Sequence, residues 1–149
     1  MSRSDDPTLD RDADIVLQGR TVVKGHATAE ALVTTDTISG WGGVDPMRGT
    51  VIETGHDLEG VSFSERILVF PGAKGSSGWS SIFHTTRLAE TAPAAMVFNE
   101  MTTKVALGAV TSRVPSVTDL DRDPLGLIDT GDLVMVDGDA GTVSIWKTD

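Results

Sequence analysis

The stretch Arg66-Ile67-Leu68-Val69-Phe70, followed by Pro71-Gly72-Ala73-Lys74-Gly75-Ser76-Ser77-Gly78, decides the fold. Four apolar residues in a row, without alternation, describe a strand covered on both faces. The glycine-serine turn then opens onto a helix over Ser80 to Thr91, on which Ile82, Leu88 and Ala89 can share a face with Trp79. Ala94-Ala95-Met96-Val97-Phe98 reads as a second buried strand. Thr102 or Thr103 caps a second helix through Val110, with Val105, Ala106 and Val110 inward. Val114-Pro115-Ser116-Val117 supplies a third strand. This β–α–β–α–β order predicts parallel strands joined by right-handed crossovers.

Outward from this centre the chain becomes strand-rich. It has 16 glycines and no tyrosine, and its β-branched residues fall in short runs. Ile15-Val16-Leu17 is a strand, Gln18-Gly19-Arg20 a turn, and Thr21-Val22-Val23 a strand expected to pair back on the first. Ala27 to Thr35 alternates as a half-buried strand does. Ser39 to Pro46 reads as a glycine-rich loop, and Thr50-Val51-Ile52 as a short strand. Near the end, two alternating runs flank Asp137 to Gly141, a hairpin signal. The fold class is therefore α/β: a β-rich half and a terminal hairpin around a small parallel centre with two helices. With 149 residues, one domain over 15–149 is expected. The polar stretch Met1 to Asp14 reads as a disordered leader.

Composition narrows the function. The formal net charge is −10, from 22 acidic and 12 basic residues. Nucleic acid and anionic membrane surfaces are attracted by Lys and Arg, so neither is an expected partner. No apolar run is long enough to span a bilayer. There is no cysteine. That is compatible with the cytoplasm. It also means that this chain alone offers no thiolate nucleophile and no cysteine-held metal or iron–sulfur centre.

The strongest chemical candidate is the turn Pro71 to Gly78. It leaves a buried strand and enters a helix, where α/β folds bind ligands. Its glycines let a ligand approach the backbone N–H groups, Lys74 adds positive charge, and Ser76 or Ser77 adds a hydroxyl. A plain serine N-cap is the alternative. The turn is not a P-loop, because Lys74 precedes Gly75 where that motif has Gly-Lys. It is not a nucleophile elbow either. Trp41-Gly42-Gly43-Val44-Asp45-Pro46 is the second candidate, since a tryptophan beside paired glycines can line a pocket or contact a partner. There the alternative is a tight turn with a buried indole. His26, His56 and His84 lack metal-ligand spacing, and Asp137-Gly138-Asp139 lacks the twelve-residue calcium-loop pattern.

Taken in order, Trp41 to Pro46, Ile67 to Phe70, Gly75-Ser76-Ser77, Ala92-Pro93-Ala94-Ala95 and Val136 to Gly141 resemble the small subunit of aconitase X. The resemblance runs from about Val16 to Ile145. It implies a β/β/α swivelling domain with a barrel-like arrangement of short strands. It implies a hydro-lyase subunit that works only with a large subunit, as a heterodimer or higher assembly. That partner is expected to hold an iron–sulfur cluster or metal ion. The substrate class is a small 3-hydroxy acid, with cis-3-hydroxy-L-proline expected first and a mevalonate phosphate as the alternative. Ser76 takes the role of catalytic base, and Lys74, Gly75, Ser77 and Gly43 are the expected substrate contacts. Trp79, the stretch Ser80 to Thr86 and Asn99-Glu100 depart from the family pattern. A non-catalytic domain that holds an anionic metabolite is the competing reading.

Overall fold

The structure, a computed structural model, describes residues 12–75 and 78–148. The chain runs β1 (Ile15–Gln18), β2 (Arg20–Val23), β3 (His26–Val33), β4 (Ile38–Ser39), β5 (Val44–Asp45), β6 (Thr50–Val51), β7 (Ile67–Phe70) and β8 (Ala73–Lys74). Helix α1 (Trp79–Leu88), β9 (Ala95–Phe98), α2 (Thr103–Ser112), β10 (Ser116–Thr118), β11 (Leu133–Asp137) and β12 (Thr142–Trp146) follow. An eight-stranded sheet has the order β1-β12-β11-β3-β7-β9-β10-β2. Within it β7 lies parallel to β3 and β9, and β9 parallel to β10, as the β–α–β–α–β reading requires. The terminal hairpin pairs β11 with β12, from Leu133↔Trp146 to Asp137↔Thr142.

Why Ile67 to Phe70 has no polar face is now plain. Successive side chains of a strand point to opposite faces. Ile67 and Val69, with Ala95 and Val97 of β9, enter a core shared with Val134, Val136, Val143 and Ile145 of the hairpin. Leu68 and Phe70, with Met96 and Phe98, face a second core built from Trp79, Phe83, Val105 and Ala109 of the helices. The β12-β11 side of this one sheet, its β7-β9 side and the helices therefore form three layers, the expected β/β/α architecture.

One pairing differs from expectation. β2 does not fold back on β1; it pairs antiparallel with β10, and β1 pairs with β12. The two strands thus stand at opposite ends of the sheet order, joined through Gly19 alone. The sheet curls until those ends meet. The Gly19 N–H donates to Gly141 O at 2.8 Å, and the Asp121 N–H donates to Gln18 O at 2.8 Å. Thr21 Oγ1 donates to Gly138 O at 2.7 Å. A local hairpin between β1 and β2 would satisfy only neighbouring residues, whereas this route closes the β core.

Several smaller expectations also shift. The segment Ser39 to Pro46 is not all loop: β4 pairs with β8, and β5 with β6. On α1 the buried face is Trp79, Ile82, Phe83 and Thr86, while Leu88 is exposed. On α2 it is Val105, Gly108, Ala109 and Ser112, so Val110 points outward. Of the leader, residues 1–11 lie outside the described part. Asp14 is already tied in: its N–H donates to Ile145 O, and its carboxylate accepts from the Lys147 N–H at 2.8 Å.

The C-terminal end of β12 is pinned by a buried acid. Asp132 is almost fully buried. It accepts from Lys147 Nζ at 2.6 Å, from the Asp129 N–H at 2.8 Å, and from both the N–H and hydroxyl of Thr148 at 3.1 Å. Burial pushes its pKa up, but these donors together outweigh burial and hold it below its ordinary value of 3.8. A carboxyl depressed by folding stabilises the fold above the ordinary pKa, and that stability is lost as pH falls through the folded value. Asp132→Asn is therefore expected to cost about 1–3 kcal/mol near neutral pH, the scale of unpaired buried polar groups. Urea unfolding at pH 7 and across the acid range checks both points. The variant's stability should decline less than the wild type's once pH falls below 3.8. An equal decline would remove Asp132 as the cause.

Candidate functional site

Of the turn read over Pro71 to Gly78, Ala73–Lys74 is instead strand β8, and α1 begins at Trp79. Ser76 and Ser77 lie outside the described residues, so the site is defined by what flanks them. On the N-terminal side, β8 pairs in parallel with β4, with Ala73 opposite Ile38 and Lys74 opposite Ser39. Gly75 follows with φ +94°, a left-handed value that a side chain would strain. On the C-terminal side the N-cap of α1 is Gly78, with no side-chain cap bond. The serine-cap alternative rests on Ser76 and Ser77 and so falls outside the described residues.

Trp79 fixes the helix start. Its indole is fully buried. The indole N–H donates to Ile38 O at 2.9 Å, which ties α1 to β4. The ring stacks on Phe83 at 4.1 Å between centroids and lies 6.2 Å from Phe70. The slot exists because two glycines leave it open. A Cβ at Gly40 would come within 2.7 Å of the Trp79 backbone, and one at Gly108 would overlap the indole ring. The departure from the family pattern at this position is therefore a core residue rather than a pocket wall.

Two lysines frame the turn. Lys74 Nζ lies 2.6 Å from Glu53 Oε2. That ammonium is the main reason the Glu53 carboxyl is held below its ordinary range, while burial acts the other way. The second lysine, Lys104, stands in the first turn of α2 and donates from Nζ to the Gly75 carbonyl. The sequence reading found Lys74 but not Glu53 or Lys104. They lie 21 and 29 residues from the groups they touch, so only the fold brings them together. One signal was present for Lys104. A cation in the first turn of a helix opposes the helix dipole, and no acid accompanies it there.

The other expected contact, Gly43, is buried and structural. Its N–H donates to Gly40 O at 3.2 Å, its carbonyl accepts from the Ile52 N–H at 2.9 Å, and a Cβ there would meet Ser39. It braces β4, the strand beside Lys74. Trp41, expected to be buried if the loop were a plain turn, is instead 77% exposed.

His56 and His26 have other partners among the described residues. His56 is buried; its Nδ1 accepts from the Leu58 N–H at 2.9 Å, which leaves Nε2 to donate to Thr37 O at 3.0 Å. His26, Asp137 and Asp139 are the one group among the described residues close enough to share an ion. Their oxygens already serve the hairpin. Asp137 Oδ1 accepts from the N–H groups of Asp139 and Ala140, and Asp139 Oδ1 from the Gly25 N–H. No helix among the described residues is long and apolar enough to cross a membrane.

The three-layer fold, with a cation-flanked turn at the strand ends, is that of a swivelling domain. The sequence profile of the aconitase X swivel domain matches residues 16–145. The chain belongs to the aconitase X swivel-domain family. It is 43% identical to the phosphomevalonate dehydratase small subunit of Methanocella arvoryzae, over 87% of this chain and 98% of that protein. It is 40% identical to the Methanosarcina mazei protein of the same name, over 89% and 92% of the two chains. Among solved structures it is similar to Thermococcus kodakaraensis aconitase X in its holo form, with TM-score 0.84, 38% identity, and coverage of 89% and 99%. The expectation of a dehydratase small subunit agrees with these relatives.

Proposed function

We propose that this chain is the small subunit of a two-chain phosphomevalonate dehydratase, working in the cytoplasm and supplying Ser76 as base. The observation that carries this reading is a lysine-flanked glycine-serine turn in a domain whose near-full-length relatives bear that name. Those relatives favour the phosphorylated acid over cis-3-hydroxy-L-proline.

Dehydration takes a proton from the carbon beside the carboxylate and hydroxide from the next carbon, leaving a double bond and water. Serine is a poor base at its free pKa. Its alkoxide is stabilised where N–H groups and helix N-termini converge. In the chain, Gly75 precedes Ser76 and Ser77 and the start of α1 follows them, which supports that role. A metal centre in the large subunit would act as Lewis acid on the departing hydroxyl. Because this chain has no cysteine, an iron–sulfur centre must be held by the partner.

The test is to co-express the chain with the large subunit of the same genome. The complex is offered phosphomevalonate, mevalonate and cis-3-hydroxy-L-proline, and loss of water is followed by mass spectrometry. Turnover of phosphomevalonate is expected. Turnover of cis-3-hydroxy-L-proline alone would overturn the substrate assignment. Tight binding of an anion by the chain without its partner, and no turnover with it, would favour the binding-domain reading.

A further inference from the structure

We infer that Lys104, rather than Lys74, is the cation that meets the substrate's anionic group, an assignment that rests on the dehydratase reading above. Lys74 already has a counter-ion in Glu53 at 2.6 Å. Glu53 stays ionised at neutral pH, since Lys74 lowers its pKa further. The pair carries no net charge and offers an incoming anion little.

Lys104 is placed differently. It reaches from α2 to the carbonyl of Gly75, the residue before Ser76. A carbonyl accepts a hydrogen bond but neutralises no charge. Among the described residues no carboxylate lies within ion-pair distance of Lys104. An ammonium has three donors; one is on Gly75 O, and among the described residues the other two have no hydrogen-bond partner. Its position in the first turn of α2, against the helix dipole and without a compensating acid, is unfavourable by itself. An anion seated beside Lys104 and the start of α2 removes that conflict. The anionic group is a carboxylate or a phosphate. Both use the same contact chemistry, and comparing substrates separates them.

The experiment compares Lys104→Ala, Lys104→Arg and Lys74→Ala in the assembled two-chain enzyme. Lys104→Ala is expected to raise KM for phosphomevalonate about tenfold or more, the scale of one charge-assisted hydrogen bond. The change in kcat should be smaller, Lys104→Arg should recover most of the loss, and Lys74→Ala should raise KM less than Lys104→Ala. An equal effect on mevalonate assigns the contact to the carboxylate, and a weaker one to the phosphate. The reverse ranking of the two alanine variants overturns the inference.

Should the wild-type complex turn over none of the three acids, the dehydratase reading falls on that result alone. Lys104 is then judged on the full-length isolated chain by NMR with inorganic phosphate. A shift of the Gly75 amide that disappears in Lys104→Ala supports the inference. No shift, or one that survives the substitution, overturns it.

Discussion

With Ser76 replaced by Ala, the assembled two-chain enzyme is expected to lose about 10²–10⁴-fold in kcat, the usual contribution of a positioned proton-transfer group. KM should change far less, because a base that acts on a carbon-bound proton gains its contact chiefly in the transition state. Ser77→Ala should cost much less, since the neighbouring hydroxyl has no assigned proton to move. The chain enters the turn through Gly75 at φ +94° and leaves it into the N-cap Gly78. Steady-state kinetics with both variants decides the matter, and a wild-type rate for Ser76→Ala would remove the role from that residue.

Trp79→Ala is expected to destabilise the isolated chain by about 3–5 kcal/mol, the range for a buried large aromatic residue cut to alanine. For a chain of this size that lowers Tm by roughly 6–20 °C. Three losses add. The stack on Phe83 goes, a large cavity opens between Gly40 and Gly108, and Ile38 O loses its donor. Trp79→Phe keeps much of the stack and loses the N–H, so it should cost less. Calorimetry measures both. Because Trp79 is the first residue of α1, the alanine variant should also raise KM at temperatures where it remains folded. A Tm unchanged within error would contradict the packing account.

Much of this was legible in the chain itself, and the reason differs by element. Ile67 to Phe70 declared itself because four apolar residues in a row fit only a strand buried on both faces. The β11–β12 hairpin was readable from alternation around Asp137 to Gly141. The partner of β2 was not, because strand pairing over long separations depends on how the whole sheet curls. Leu88 and Val110 were misplaced because several apolar faces fit a short helix, and the true one follows from where Trp79 and Gly108 meet. At the site, the turn and Lys74 were visible as a local motif. Glu53 and Lys104 were not, since their proximity to the turn is made by tertiary structure alone. Gly43 was read as a substrate contact, and its backbone is occupied in bracing β4.

The closure through Gly19 bears on how a second chain can attach. A sheet normally ends in bare N–H and C=O groups, a template to which another polypeptide can add a strand. Here the outer side of β1 is met by Asp121 and Arg122, and β2 is met by the tip of the β11–β12 hairpin. Both ends of the β core are thereby partly covered against edge-to-edge pairing. A chain adding a strand at the β1 or β2 end of this sheet would first have to displace these contacts.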